Sequence, residues 1–283
     1  KFFLFRPSEL DWTISRSSAS QYQPDKRLFG STWRAETYDP GNPIFGVPPS
    51  FDPASYIPLK GAANFNLGNF QRTWEEITEE SDQYFVNLKF PFEQWSGDEG
   101  YVKFGIFNDE VDRQFDQESF SNFGDEGATF EGEWDEFWSD VFPDENHPLT
   151  DGGVDVDYQG QQNISAWYYM IDMPLSSFFN VIGGFRFEDT ELSITNTAEE
   201  NVTWVPPGES SRFELNPGDA DVSFEQSDTL PSLGLVFEPT EQITMRGSYS
   251  ETVARQTFKE LSPIEQQEYL GGDIFIGNPN LQM

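Results

Sequence analysis

The sequence predicts an all-β protein, an antiparallel transmembrane β-barrel fold with short periplasmic turns and long external loops. Three observations carry that prediction. Apolar and polar residues alternate with a period of two in several separate runs, the periodicity of a strand whose two faces meet different surroundings. Short turns alternate with long polar connections. Aromatic residues gather beside the short turns: Phe92, Trp95 and Tyr101 at the first, Phe178 and Phe179 at the second. Rings with an apolar body and a polar edge settle at a membrane interface.

The first hairpin begins in "SDQYFVNLKFPF", where Tyr84, Val86, Leu88 and Phe90 share one face and Phe85, Asn87 and Lys89 the other. After "EQWSGDEG" the return run sets Val102, Phe104 and Ile106 against Lys103 and Gly105. In the second hairpin the return strand sets Phe179, Val181, Phe185 and Phe187 against Arg186 and Glu188. Its descending strand is apolar on both parities, with Trp167, Tyr169 and Ile171 matched by Ile164, Ala166 and Met170, so its outer face stays unassigned. The third hairpin turns at Glu238 to Gln242, between Leu233, Leu235 and Phe237 and the stripe Ile243, Met245 and Tyr249.

Between these hairpins the polar segments 109–157, 190–222 and 17–68 read as long loops. One trimmed rim and one elaborated rim is the pattern of outer-membrane barrels. A soluble β-sandwich or β-helix is the competing architecture, its rings plugging the end of the fold.

Composition narrows the function. With 50 acidic and 16 basic residues the formal charge is -34, which repels phosphate backbones and argues against nucleic acid as a partner. The chain has 28 Phe, 10 Tyr and 8 Trp, more aromatic surface than acidic disorder explains. It has no cysteine and a single histidine, His147, which leaves out disulfides, thiolate metal sites and thiol nucleophiles. No stretch approaches the ~18 apolar residues of a membrane helix. No phosphate-binding loop, nucleophile elbow or dinucleotide fingerprint is present, so the chain is expected not to be an enzyme. The remaining enzymatic possibility, a carboxylate-pair glycosidase, finds no information among so many acids.

Segment 109–157 holds 17 acidic residues and one basic residue, Arg113. Its stretch "EGEWDEFWSD" interleaves Trp134, Phe137 and Trp138 with Asp135, a chemistry suited to neutral saccharides, since rings stack on sugar faces and carboxylates accept from hydroxyls. A small aromatic cluster folding the loop on itself uses the same residues. Asp151, Asp155 and Asp157 in "DGGVDVD" offer hard oxygen ligands for calcium, although their spacing matches no EF-hand loop; no other cofactor or metal is expected. Arg186, Glu188 and Arg246 fall on the parity opposite the apolar stripes and are expected to face the barrel interior, where they would hold a plug domain. Facing lipid near the midplane, each arginine would cost about 2–4 kcal/mol. Arg255 keeps the parity of Ile243 and Met245, but lies too far along to remain in hydrocarbon, which a strand crosses in about 9–11 residues; it is expected at the outer rim.

The run "GLVFEPTEQITMRGSYSETVARQTFKELSP" followed by "YLGGDIFIGNPNL" resembles the late-barrel segment of TonB-dependent outer-membrane receptors, through Tyr249, Ser250, Thr252, Ala254, Arg255, Glu260, Leu261 and then Gly271, Gly272, Asp273, Gly277, Asn278 and Pro279. Gly183, Gly184, Arg186 and Glu188 are similar to that family's Gly-Gly-x-Arg-x-Glu strand, and Arg72, Trp74, Pro91, Lys103 and Gly105 to its preceding strand pair. Gln256 stands where the family commonly has proline, which leaves the following path less constrained. The resemblance implies that residues 1–283 are a partial receptor barrel, with plug and C-terminal strands outside the sequence. It also implies a bacterial outer-membrane location and contact with outer-membrane lipid. Its further implied partners are the receptor's own plug domain, the inner-membrane TonB energy complex acting through that plug, and a nutrient ligand. Acidic loops with aromatics suit a carbohydrate better than a ferric chelate. The alternative is a soluble calcium-dependent extracellular β-sandwich that binds glycans.

Overall fold

The computed structural model describes residues 4–29, 32–35, 56–59, 70–95, 97–121, 150–151, 155–199, 202–267 and 273–281. Its elements in chain order are β1 (Leu4–Phe5), β2 (Glu9–Phe29), β3 (Thr32–Ala35), β4 (Tyr56–Leu59), β5 (Phe70–Glu93), β6 (Glu99–Ser121), β7 (Thr150–Asp151), β8 (Val156–Ser176), β9 (Phe179–Ala198), β10 (Thr203–Trp204), β11 (Phe213–Glu214), β12 (Val222–Thr240), β13 (Ile243–Ser250), one helical turn α1 (Phe258–Leu261), β14 (Glu265–Gln267) and β15 (Ile274–Ile276).

One nine-stranded sheet dominates, with its long strands in the order β2-β5-β6-β8-β9-β12-β13, each antiparallel to the next. A chain that pairs every strand with its sequence neighbour builds an up-and-down meander, the wiring of barrels. No second large sheet stands opposite it among the described residues. The strands β2 and β13 do not pair with each other, and the sheet stays open. The three short turns, between β5 and β6, β8 and β9, and β12 and β13, share one end; the long connections share the other.

Register shows which side chains share a face. Lys89 pairs with Glu9 and Lys103, Tyr101 with Asp172, Asp172 with Ile182, and Ile182 with Gly234. One parity therefore runs unbroken through six strands. On the opposite parity, near the short turns, lies a belt of Leu10, Trp12 and Ile14; Tyr84, Val86 and Leu88; Val102, Phe104 and Ile106; Trp167, Tyr169 and Ile171; Phe185 and Phe187; Leu233 and Leu235; and Met245. Many of these are open to the surroundings, Trp12 to 64% and Ile14 to 74%. On β5 the belt spans Tyr84 to Phe90, within the ~9–11 residues with which a tilted strand crosses hydrocarbon.

The ambiguous descending strand, β8, resolves in this register. Trp167, Tyr169 and Ile171 point outwards, where Trp167 stacks on Phe187 at 4.3 Å between centroids. Ala166, Tyr168 and Met170 point inwards, where Tyr168 stacks against Phe85 and donates its hydroxyl to Asn87. Composition could not separate the two faces because the inner one is also partly aromatic.

The strands overrun the belt. Beyond Ile106 the outer parity of β6 reads Asn108, Glu110, Asp112, Gln114, Asp116 and Glu118, all polar, yet the strand continues to Ser121. Residues 17–29, expected in a loop, belong to β2, and the segments expected as loops at 109–121 and 190–198 are strand as well. They persist because their inner parity is buried: Phe115, Tyr158, Leu192, Ile194 and Val222 form a core there. A separate small core of Val156, Val202, Trp204, Leu215 and Ala220 organises the connection that carries β10 and β11.

Placing an arginine at Ile106, in the belt, is expected to destabilise the assembled protein by about 2–4 kcal/mol, against less than about 0.5 kcal/mol for Asp112→Arg on the polar extension of the same strand and face. Urea titration of the receptor refolded into lipid vesicles measures both.

Candidate functional site on the inner face

After β13 the chain does not continue outwards. It turns over the sheet and lays α1 on the inner face. Phe258, Leu261 and Ile264 are buried against Phe115, Tyr158, Leu192, Ile194 and Val222. Tyr158 stacks between Phe115, at 5.3 Å, and Phe258, at 6.4 Å. Gly160 makes the seat: a Cβ there would meet the Phe258 ring at 2.5 Å. Gln256, which occupies the position where proline was expected to steer the path, is itself buried, so docking of Phe258 fixes the path instead.

The returning segment is closed by a second close approach. Asn278 donates its amide to the Glu260 carbonyl at 2.7 Å, and a Cβ on Gly277 would lie 1.7 Å from the Ser262 carbonyl oxygen, so only glycine lets β15 cross here. At the start of α1 the Glu260 carboxylate accepts from the Thr257 amide (2.7 Å) and hydroxyl (3.1 Å). These bonds, the backbone one first, hold the Glu260 carboxyl below its ordinary 4.5.

Below the docked turn lies an ionic cluster. Arg186 donates from Nε to Glu188 at 2.6 Å and rests over the Phe107 ring at 5.0 Å. Arg255 donates from Nε to the Thr190 hydroxyl at 2.9 Å and pairs through one terminal guanidinium nitrogen with Glu188. Glu188 is only 5% exposed, so a carboxylate between two guanidiniums is what makes its burial tolerable. Arg186 and Glu188 thus stand on the inner face. Arg246 shares that parity on the exposed edge strand β13.

Arg255 corrects the sequence expectation of an outer-rim position. Alternation stops to apply at Ser250, where β13 ends, and the irregular chain that follows carries Arg255 inwards to Glu188. The aspartates expected as calcium ligands are also otherwise engaged. Asp155 accepts from the Ser119 amide (2.8 Å) and the Gln117 side chain (3.4 Å), and Asp157 from the Gln117 amide (2.9 Å). Burial pushes the Asp157 carboxyl upwards, against the pull of that amide. Asp151 pairs through its backbone with Phe120. Among the described residues no group of three His, Cys, Asp or Glu side chains converges on a point. Trp134, Asp135, Phe137 and Trp138 lie outside the described residues.

Above the docked turn the inner wall becomes polar. Gln71 faces Ser121, Thr73 faces Ser119 and Glu75 faces Gln117 across the β5–β6 pair. On β2 a bulge between Gln23 and Lys26, with Asp25 in the left-handed region at φ 52°, brings Lys26 opposite Thr73 and Leu28 opposite Gln71. Asp25 is fixed by Arg72 (2.7 Å) and Arg27 (2.9 Å), whose hydrogen bonds hold its carboxyl well below the usual carboxylate range. Between this wall and the segment running from α1 to β15 lies a cavity of about 720 Å³. Sequence reasoning missed it, because Gln117 and Ser119 alternate with the equally polar Asp116 and Glu118 and gave no apolar stripe to read.

A family model for the TonB dependent receptor-like β-barrel matches residues 7–283. The chain belongs to that family. No curated protein and no solved structure matches it. TonB-dependent receptor barrels are in general outer-membrane proteins that work with a plug domain, with TonB and with a nutrient ligand. Membership agrees with the lipid-height belt on one face, and with an inner face whose polar and ionic side chains have no place in hydrocarbon.

Two outcomes are expected from these contacts. Glu188→Ala leaves two guanidiniums unpaired and should cost about 3–5 kcal/mol, with non-additivity of at least about 1 kcal/mol in a double-mutant cycle with Arg255→Ala, measured by urea unfolding. Because the folded carboxyl of Glu260 is depressed, its contribution is complete above the unfolded value of 4.5 and is lost as pH falls through the folded one. The hydrogen-exchange protection of the Thr257 amide should therefore hold from neutrality down to the ordinary 4.5 and decline as pH falls below it.

Proposed function

We propose that this chain supplies wall and mouth of an outer-membrane transporter that takes up a nutrient with energy delivered through TonB, and that the nutrient is an uncharged carbohydrate rather than an anionic ferric chelate. The observation that carries the transport reading is the two-sided sheet: an outward apolar belt one bilayer tall, and an inward face lined by polar and ionic groups. Such a sheet is stable only with lipid outside and a lumen inside. The unpaired edges of β2 and β13 find their partners in further strands of the closed barrel, since open edges are not tolerated in hydrocarbon.

In this reading the short turns face the periplasm, and the polar strand extensions with their connections stand outside the cell. Arg186, Glu188, Arg246 and Arg255 form a charged stretch of lumen suited to hold the plug by ion pairs. The preference for an uncharged ligand rests on electrostatics. A net charge of -34, with outward rows such as Glu110, Asp112, Asp116 and Glu118, sets up a field that repels anions approaching the mouth.

The test is uptake by cells that carry the full-length receptor. Labelled neutral oligosaccharide should accumulate, accumulation should stop when an uncoupler collapses the proton gradient, and the receptor should fractionate with outer membranes. A receptor that stays monodisperse in plain buffer, or uptake that ignores the uncoupler, removes the transporter reading.

A further inference from the structure

We propose that the outward face of β2, β5 and β6, above the belt, carries a docking surface for a basic polypeptide, built from Tyr22, Trp74 and Phe120 together with Glu76, Asp116 and Glu118. The surface looks away from the lumen, so it depends on the lipid belt and not on which nutrient is carried. Register places all six side chains on the outward parity. Tyr22 stands opposite Glu76, Glu76 opposite Asp116, Trp74 opposite Glu118 and Arg72 opposite Phe120. On β5 the belt ends at Tyr84, and Trp74 lies further along the same strand. At about 3.3 Å per residue and a tilt near 40°, that distance raises the patch roughly 25 Å above the hydrocarbon. Lipid tails do not reach that height, so these rings are not part of the belt.

A lone exposed ring on a protein surface is ordinary. Here three rings from three neighbouring strands gather on one wall. Trp74 meets Phe120 edge-on at 5.8 Å, and Tyr22 is 64% exposed. With the three carboxylates they line a shallow recess of about 280 Å³. Between belt and recess the outward parity is polar, with Thr78, Glu80 and Asp82 on β5 and Glu110, Asp112 and Gln114 on β6. Polar residues would serve a solvated wall at the recess as they do below it. An apolar island that returns beyond such a stretch marks a surface that something covers.

Charge selects the occupant. Glu76 and Asp116 are directly opposed, a like-charge pair of the kind that destabilises a sheet. Among the described residues no basic side chain forms an ion pair with Glu76, Asp116 or Glu118. The neighbouring arginines are taken: Arg16 by Glu80 and Asp82, Arg27 and Arg72 by Asp25. Arg72 also rests over the Trp74 ring at 4.8 Å, so the patch already combines a guanidinium with one of its rings. Segments 36–55 and 122–149 of this chain contain acidic residues and neither lysine nor arginine, so they do not complement the carboxylates. A second copy, with its net charge of -34, and an anionic lipid headgroup are both repelled. Among the described residues no three carboxylates converge to hold a metal ion. A polypeptide that presents lysine or arginine between apolar side chains satisfies both halves of the patch: its cations pair with the carboxylates, and its apolar and guanidinium faces cover the rings.

The experiment uses the full-length receptor in phosphatidylcholine vesicles and a fluorescent peptide of alternating arginine and tyrosine, with the glutamate–tyrosine peptide alongside. Fluorescence anisotropy should show binding of the first and not the second, weakening as salt is added. Glu76→Gln combined with Asp116→Asn should weaken binding tenfold or more, as should Trp74→Ala combined with Phe120→Ala. Glu191→Gln with Glu225→Gln, an opposed acidic pair elsewhere on the outward face, removes the same charge and should change binding less than twofold. Because Glu76→Gln with Asp116→Asn relieves a repulsion, the thermal midpoint of that variant should stay level or rise, which separates lost docking from lost folding. An arginine peptide that does not bind, or that is weakened equally by the Glu191 and Glu225 pair, overturns the proposal, the latter showing only the general field of the protein. Binding undiminished when both rings are removed overturns it as well. So does a patch that holds phosphatidylglycerol vesicles, and loses them in the same variants, in preference to the peptide.

Discussion

The upper half of this molecule depends on the burial of three side chains, Phe258, Leu261 and Ile264, against Phe115, Tyr158, Leu192, Ile194 and Val222. Each apolar side chain removed from water contributes roughly 1.5–3 kcal/mol. That burial explains why the strands run on past the bilayer. Outside the belt the outer face of β6 turns acidic, until Phe120 packs edge-to-face against Trp74 of β5. The inner parity remains apolar because a piece of the same chain covers it. The small cavity floor, the placement of Glu260 and Glu265, and the crossing at Gly277 all inherit their position from that contact.

The belt itself obeys a different constraint. In hydrocarbon every backbone group must be paired, which the meander provides, and outward side chains must be apolar over one bilayer height. The same alternation that pushes Trp167 and Phe185 outwards brings Tyr168 and Arg186 inwards, where rings and charges are used together: Arg186 lies over Phe107 while its Nε is taken by Glu188. Buried charge of this kind is weak evidence for stability, since apolar replacements often do as well. Its retention in a lumen is better understood as a means of presenting charge to whatever fills that lumen.

Acidity has several local meanings here. On the outer face Glu110, Asp112, Asp116 and Glu118 are a solvated row. Asp155 and Asp157 are instead structural acceptors that tie the start of β8 to the amides of β6, and Asp25 stabilises a bulge. Among the described acidic residues Glu265 alone keeps a buried oxygen without a hydrogen-bond partner. Counting acids along the chain would have merged these roles.

The sequence by itself determined the sheet and its polarity. Tyr84 to Phe90, Val102 to Ile106, Phe185 and Phe187, and Leu233 to Met245 read correctly, because period-2 contrast is a local property and each stripe faces a uniform medium. The family could be read for a related reason: glycines and arginines at turns and ionic clusters keep their spacing. Tertiary structure alone decided three things. It set the inner face of β8, where both parities are apolar and only partners distinguish them. It brought Arg255 inwards, because the end of a strand at Ser250 cancels the alternation on which an outer-rim position relied. It also assembled the cavity, since Gln71 and Ser119 meet Glu265 and Phe275 only after α1 docks. Contacts between residues almost 200 positions apart leave no periodic trace, because what sets them is burial of an apolar turn on a distant wall.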